Sequence, residues 1–150
     1  MRFLRRTPVR TFVLYPLITA AWEFALHRGS VTVDPAYLPL MLWGYLQYRL
    51  CGRYRARHGG GGPGLENPPQ RLVTTGPYAC SRNPMYLGHL IYLCGVALVL
   101  RSWFGVLIML GAAVWFHARI LQDEKRLAKQ LGEPYLEYLR SVKRWIPGLF

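Results

Sequence analysis

PMYLGHLIYLCGVALVLRSWFGVLIMLGAAVWFHARIL, running from Pro84 to Leu121, consists of two apolar runs separated only by Arg101 and Ser102. Each run is near the short end of the ~17–25 residues that cross a bilayer. Backbone polar groups in lipid must be satisfied within the segment, so each run predicts a helix and the pair predicts a hairpin. Working outward, two further apolar stretches precede it, at about 11–26 and 36–50. The second of these is the least apolar, because Gly44, Gln47 and Arg49 sit within or beside it. The expected fold is all-α: an integral membrane bundle of about four transmembrane helices (11–26, 36–50, 84–100 and 103–121). A cytoplasmic loop over 51–83 and a cytoplasmic, partly helical tail over 122–150 complete a single domain spanning 1–150, as the length allows.

The net charge of +12 first suggests a nucleic-acid partner. Its distribution argues otherwise, because the charges avoid the apolar runs and cluster at their ends. All but two of the 19 Lys and Arg precede the first run, lie between the second and third or at their edges, or stand at or beyond the end of the fourth. The exceptions are Arg28 and Arg101. By the positive-inside rule both termini and the central loop are cytoplasmic. A signal peptide is the rival reading of the first 26 residues, but the apolar run continues past Ala20 and Ala21 through Trp22, Phe24 and Leu26. Cys51, Cys80 and Cys94 are odd in number and lack metal-ligand spacing, which points to reduced thiols.

The central loop holds GGGGPG at Gly59–Gly64 and then Pro68–Pro69. Four glycines in a row predict a flexible linker. A phosphate-cradling loop would need a following Lys-Ser/Thr and a preceding strand, and neither is present.

After the linker comes LVTTGPYACSRNPMYLG, Leu72 to Gly88. Gly76–Pro77 signals a turn. Pro84 suits the first helical turn, and Asn83 before it can cap that helix. A plain reading makes this a capped membrane helix with interfacial Tyr78 and Tyr86 and a snorkelling Arg82. A second cluster lies at the end of the fourth run, where Arg119 and Asp123 stand at i and i+4, next to Glu124. These three are either a surface ion pair of little energetic weight or a site for a cation or ribose hydroxyls. Further on, Gly132 and Pro134 break and restart the helix. Leu131, Tyr135 and Tyr138 then form an apolar face directed at the membrane or the loop.

TTGPYACSRNPMYLG, followed about 35 residues later by RILQDEKRLAKQLGEPYLEYLRSV and closing on Trp145-Ile-Pro, resembles the isoprenylcysteine carboxyl methyltransferase family and the related phospholipid methyltransferases. The resemblance covers roughly Gln70 to Pro147. It implies a membrane-embedded enzyme that uses S-adenosylmethionine on the cytosolic side without a Rossmann fold. Carried over by position, it implies cofactor contacts at Tyr78, Asn83, Pro84, Met85 and Tyr86, and loop contacts at Gln70, Arg71, Leu72 and Val73. The family's Arg-x-x-x-Glu-Glu stands here as Arg119, Asp123 and Glu124. Arg119 would orient the acceptor, and the acidic pair would hold the cofactor's polar end. Asn83 replaces a His frequent in the family, and Asp123 is one methylene shorter than the usual Glu. The short chain resembles a minimal bacterial-type, inner-membrane member.

The expected function is methyl transfer to a membrane-soluble acceptor, either the carboxylate of an isoprenylcysteine-like molecule or a lipid headgroup. The partners are then the bilayer and a lipophilic substrate, with no nucleic acid and no metal; the oligomeric state is open. Two other classes compete. One is a nicotinamide-dependent reductase of the sterol-reductase type, and the other is a non-enzymatic four-helix membrane protein. His89 and Glu23 fall inside apolar runs, where ionisable groups are functional candidates or interhelical glue.

Overall fold

The computed structural model describes residues 7–62 and 69–145, and among them every regular element is helical. Arg2, Arg5 and Arg6, the 63–68 part of the loop, and Ile146 with Pro147 lie outside the described residues. Among the described residues the helices are α1 (Thr7–Leu26), α2 (Leu38–Gly59), the single turn α3 (Pro77–Cys80), α4 (Pro84–Val99), α5 (Trp103–Leu131) and α6 (Glu133–Ser141), with a 3-10 turn at Pro35–Tyr37 before α2. A π-turn at Arg10–Leu14 interrupts the regular winding of α1.

Two of the four expected spans, α1 and α5, are long and apolar enough to cross a membrane. With 16 residues, α4 is about 24 Å long, short of a ~30 Å hydrocarbon core. Length is not the limit for α2; its tyrosines, Gln47 and four arginines dilute its apolar character. Two boundaries expected from composition move. The loop expected from residue 51 begins only after Gly59, because the lone Gly52 is tolerated within the helix and RYRARH after it holds no Pro or Gly to stop it. The tail expected from 122 is still α5 as far as Leu131.

The glycines expected to form a flexible linker begin instead as an ordered helix stop. Gly60 and Gly61 take φ of +72° and +70°, a conformation open to glycine at little cost. The Gly59 carbonyl accepts from the backbone N–H groups of both Gln70 and Arg71, at 2.8 and 2.9 Å.

The chain divides into two compact units. One comprises the residues up to Leu46 with Gly88–Val114, and here α2 and α4 meet through glycine. A Cβ on Gly44 would lie 2.3 Å from the Tyr92 backbone nitrogen, and one on Gly95 would lie 2.7 Å from the Met41 backbone. Small residues allow such close backbone approach. The α4–α5 connection is a Schellman turn, with Ser102 N–H donating to the Ala97 carbonyl and Arg101 at φ +49°. Ser102 then caps α5, its Oγ accepting from the Gly105 N–H at 3.0 Å, while its hydroxyl donates to buried Glu23. Arg28 and Arg101, the two basic residues outside the dense clusters, both adopt positive φ. Buried His89 stacks on Phe12, centroids 4.7 Å apart. The second unit, Gln47–Leu87 with the residues from Trp115 onward, carries the candidate site.

Candidate functional site

Gly76 sets the local geometry. Its φ is +58°, and a Cβ there would come within 2.6 Å of the Tyr54 ring, so the turn before α3 requires glycine twice over. The turn sends Tyr78 inward, where its hydroxyl donates to the Cys51 carbonyl at 3.4 Å. Its own carbonyl accepts from Tyr138 of α6 at 2.7 Å. Burial pushes the phenols of Tyr78 and Tyr138 well above their usual range, so both remain protonated donors. The apolar face expected on α6 is therefore turned toward the loop.

The segment after Ser141 lies along Ser81–Asn83. Arg82 N–H donates to the Lys143 carbonyl at 3.0 Å, and the Arg144 carbonyl accepts from Ser81 Oγ and Asn83 Nδ2 at 3.3 and 3.2 Å. Asn83 was expected to cap α4 with its side chain; its amide ties down the C-terminal segment instead. Pro84 does begin α4, and its carbonyl accepts from Gln47 Nε2 at 3.0 Å.

The two acids differ sharply in surroundings. Glu124 is gripped by two guanidinium groups: Arg144 approaches both carboxylate oxygens, with Nη2 at 2.8 Å, and Arg82 Nη1 lies 3.3 Å away. The charge-assisted bond raises the Arg144 pKa further, offset in part by burial. Asp123 is more open. It pairs with Arg119 at 3.5 Å and Arg126 at 3.4 Å, and it accepts from Tyr86 Oη at 3.3 Å. The Tyr86 ring in turn packs on Phe116, centroids 5.1 Å apart.

These groups border a cleft that is open to solvent. Of the residues singled out in the sequence, Leu72, Val73, Tyr78, Asn83, Tyr86, Asp123 and Glu124 line it. Five do not: Gln70 and Arg71 are exposed, Pro84 and Met85 are buried, and Arg119 is the fifth. Arg119 stands beside the cleft through Asp123 and is not on its wall. Sequence reasoning missed Arg55, Arg126 and the tyrosines of α6 as wall residues, and Arg144 as a partner of Glu124. The three-residue spacing of Tyr135 and Tyr138 was visible, but not the direction they face.

The residues present fit S-adenosylmethionine. Arg55, Arg82 and Arg126 on the wall outnumber Asp123 and Glu124, which leaves positive charge for a carboxylate. Asp123, the more exposed of the two acids, offers its carboxylate to an ammonium in exchange for its partly exposed arginine partners. Tyr86, Tyr135 and Leu127 offer aromatic and apolar surface to a flat ring.

The family model for phospholipid methyltransferases matches residues 63–133. The protein-S-isoprenylcysteine O-methyltransferase of Schizosaccharomyces pombe is 32% identical over 83 residues, which cover 54% of this chain and 35% of that protein. The protein of the same description from Dictyostelium discoideum is 34% identical over 80 residues, or 52% of this chain and 33% of its own length. That of Saccharomyces cerevisiae is 36% identical over 78 residues, or 51% and 32%. The chain thus spans about a third of the length of these curated relatives.

Proposed function

We propose that the chain belongs to the family of isoprenylcysteine carboxyl methyltransferases and phospholipid methyltransferases, which it resembles over about half of its length, and that it moves a methyl group from S-adenosylmethionine to a membrane-soluble acceptor. The acceptor is a carboxylate on an isoprenylcysteine-like molecule or a lipid headgroup. One observation carries this reading: Tyr78, Asn83 and Tyr86 from one stretch share a single cleft with Asp123 and Glu124, some forty residues away in sequence. We further propose that the cleft and both termini face the cytosol, so that the cofactor enters from water and the acceptor from lipid.

When bound, the cofactor supplies an electrophilic methyl on a sulfonium. The part of this chain is alignment and desolvation, which can lower such a barrier without a dedicated general base. Glu124 acts as a positioning residue, holding Arg82 and Arg144 and through them the Ser81–Asn83 backbone. Asp123 and Tyr86 contact the cofactor's polar end and ring. Arg119 orients an anionic acceptor, for which the planar fork of a guanidinium is suited.

The test is incubation of the reconstituted chain with methyl-labelled cofactor and a lipid extract. Label should pass to the organic-soluble fraction, and Arg119→Ala should lower that transfer by at least tenfold. Transfer no faster than without protein would reject the reading.

A further inference from the structure

α2 leaves its apolar half with an unusual distribution of charge. Arg49, Arg53 and Arg57 recur every four residues and are all exposed. At 100° per residue they fall, together with exposed Leu50, within an arc of about 100°, spread over about 12 Å of helix axis. Arg55 points to the other side of the same helix and lines the cleft.

A face made only for water would mix signs, with acids placed three or four residues from the arginines. The 22 residues of α2 contain no Asp or Glu. None of the three arginines pairs with a carboxylate among the described residues. Long basic side chains at the end of an apolar helix reach the headgroup layer while their stems remain on apolar surface. Guanidinium groups bind phosphate oxygens in pairs.

We propose that the Arg49–Arg53–Arg57 face of α2 is a docking surface for the phosphates of anionic phospholipids. Exposed Leu50 in the same arc suits a lipid surface and is out of place on a face for nucleic acid. The inference rests on the membrane reading above but not on the identity of the cofactor or acceptor. It makes α2 a two-sided element, gripping the leaflet on one side and presenting Arg55 to the cleft on the other.

The test reconstitutes the full chain in nanodiscs with equimolar phosphatidylglycerol and phosphatidylcholine. The lipids that stay with the protein on detergent extraction are then counted by mass spectrometry. The wild type should be enriched in phosphatidylglycerol, and added salt should reduce that enrichment. Arg49→Gln/Arg53→Gln/Arg57→Gln should lose preference by roughly five-fold per arginine at most, and the triple Lys variant should keep most of it. Arg28→Gln/Arg101→Gln should match the wild type. Wild-type enrichment that is absent or indifferent to salt overturns the proposal, as does equal enrichment in the triple Gln variant. Should that variant fail to fold, loss of preference in the Lys variant overturns it as well. A chain that does not enter nanodiscs at all rejects the membrane reading itself, a separate outcome.

Discussion

Adjacent carboxylates on α5 do different work because their neighbours differ. Glu124 and Arg82 each keep about a tenth of their side-chain surface exposed, and Arg144 holds the same carboxylate from the C-terminal segment. Glu124→Gln therefore leaves two guanidinium groups poorly paired and should cost about 3 kcal/mol of stability, measured by denaturant unfolding in detergent. Asp123→Asn keeps the shape, at a more open position, and should change stability by less than about 1 kcal/mol while weakening cofactor binding at least tenfold. Equal stability losses in the two variants would erase the distinction. Tyr135 gives a pH signature. Burial, aided by the Glu124 carboxylate, pushes its phenol up to about 12. Its contribution is complete below the unfolded value near 10 and fades as pH rises toward 12. Tyr135→Phe should make the alkaline loss of stability shallower in that window, as seen in unfolding midpoints between pH 9 and 12. At this scale the sequence was readable where a residue type has one use, as with Gly76 and Pro84. It was not readable for Asn83, whose amide serves equally as a cap or as a tether, and only the position of Arg144 decides between them.

Among the elements, helices were legible from their apolar runs, and their ends less so. Glycines 59 to 61 look alike in sequence to a floppy linker and to a helix stop. The two hydrogen bonds from Gln70 and Arg71 to Gly59 separate the alternatives, and those are contacts between residues not adjacent in sequence. The α2–α4 packing yields a paired prediction. Gly44→Ala places a methyl against Tyr92 backbone, which no rotamer can relieve, and should cost about 2 kcal/mol or more. Gly111 in α5 has nothing within 4 Å of a built Cβ, so Gly111→Ala should be neutral or stabilise by up to about 1 kcal/mol. Unfolding of both variants in one detergent checks the contrast. Two equally mild substitutions would mean that α2 and α4 are not in backbone contact.

For the whole molecule, charge placement led to an orientation, and the seven cleft-lining residues named in advance came from family resemblance. Periodicity alone could not find the α6 tyrosines or Arg55, because the wall they join assembles from segments far apart in sequence. Orientation has its own check in Cys80, the exposed thiol of the three. A membrane-impermeant maleimide should label it in inside-out vesicles and spare it in right-side-out ones; the reverse pattern would invert the proposed topology. The central claim, that the cleft of the second unit is a methyl-donor site, is tested most directly by calorimetric titration of the reconstituted chain with S-adenosylhomocysteine, with NADPH as the comparison. Saturable one-to-one binding of S-adenosylhomocysteine, weakened at least tenfold by Asp123→Asn and absent for NADPH, is the predicted result. Binding of NADPH in its place, or of neither compound, would contradict it.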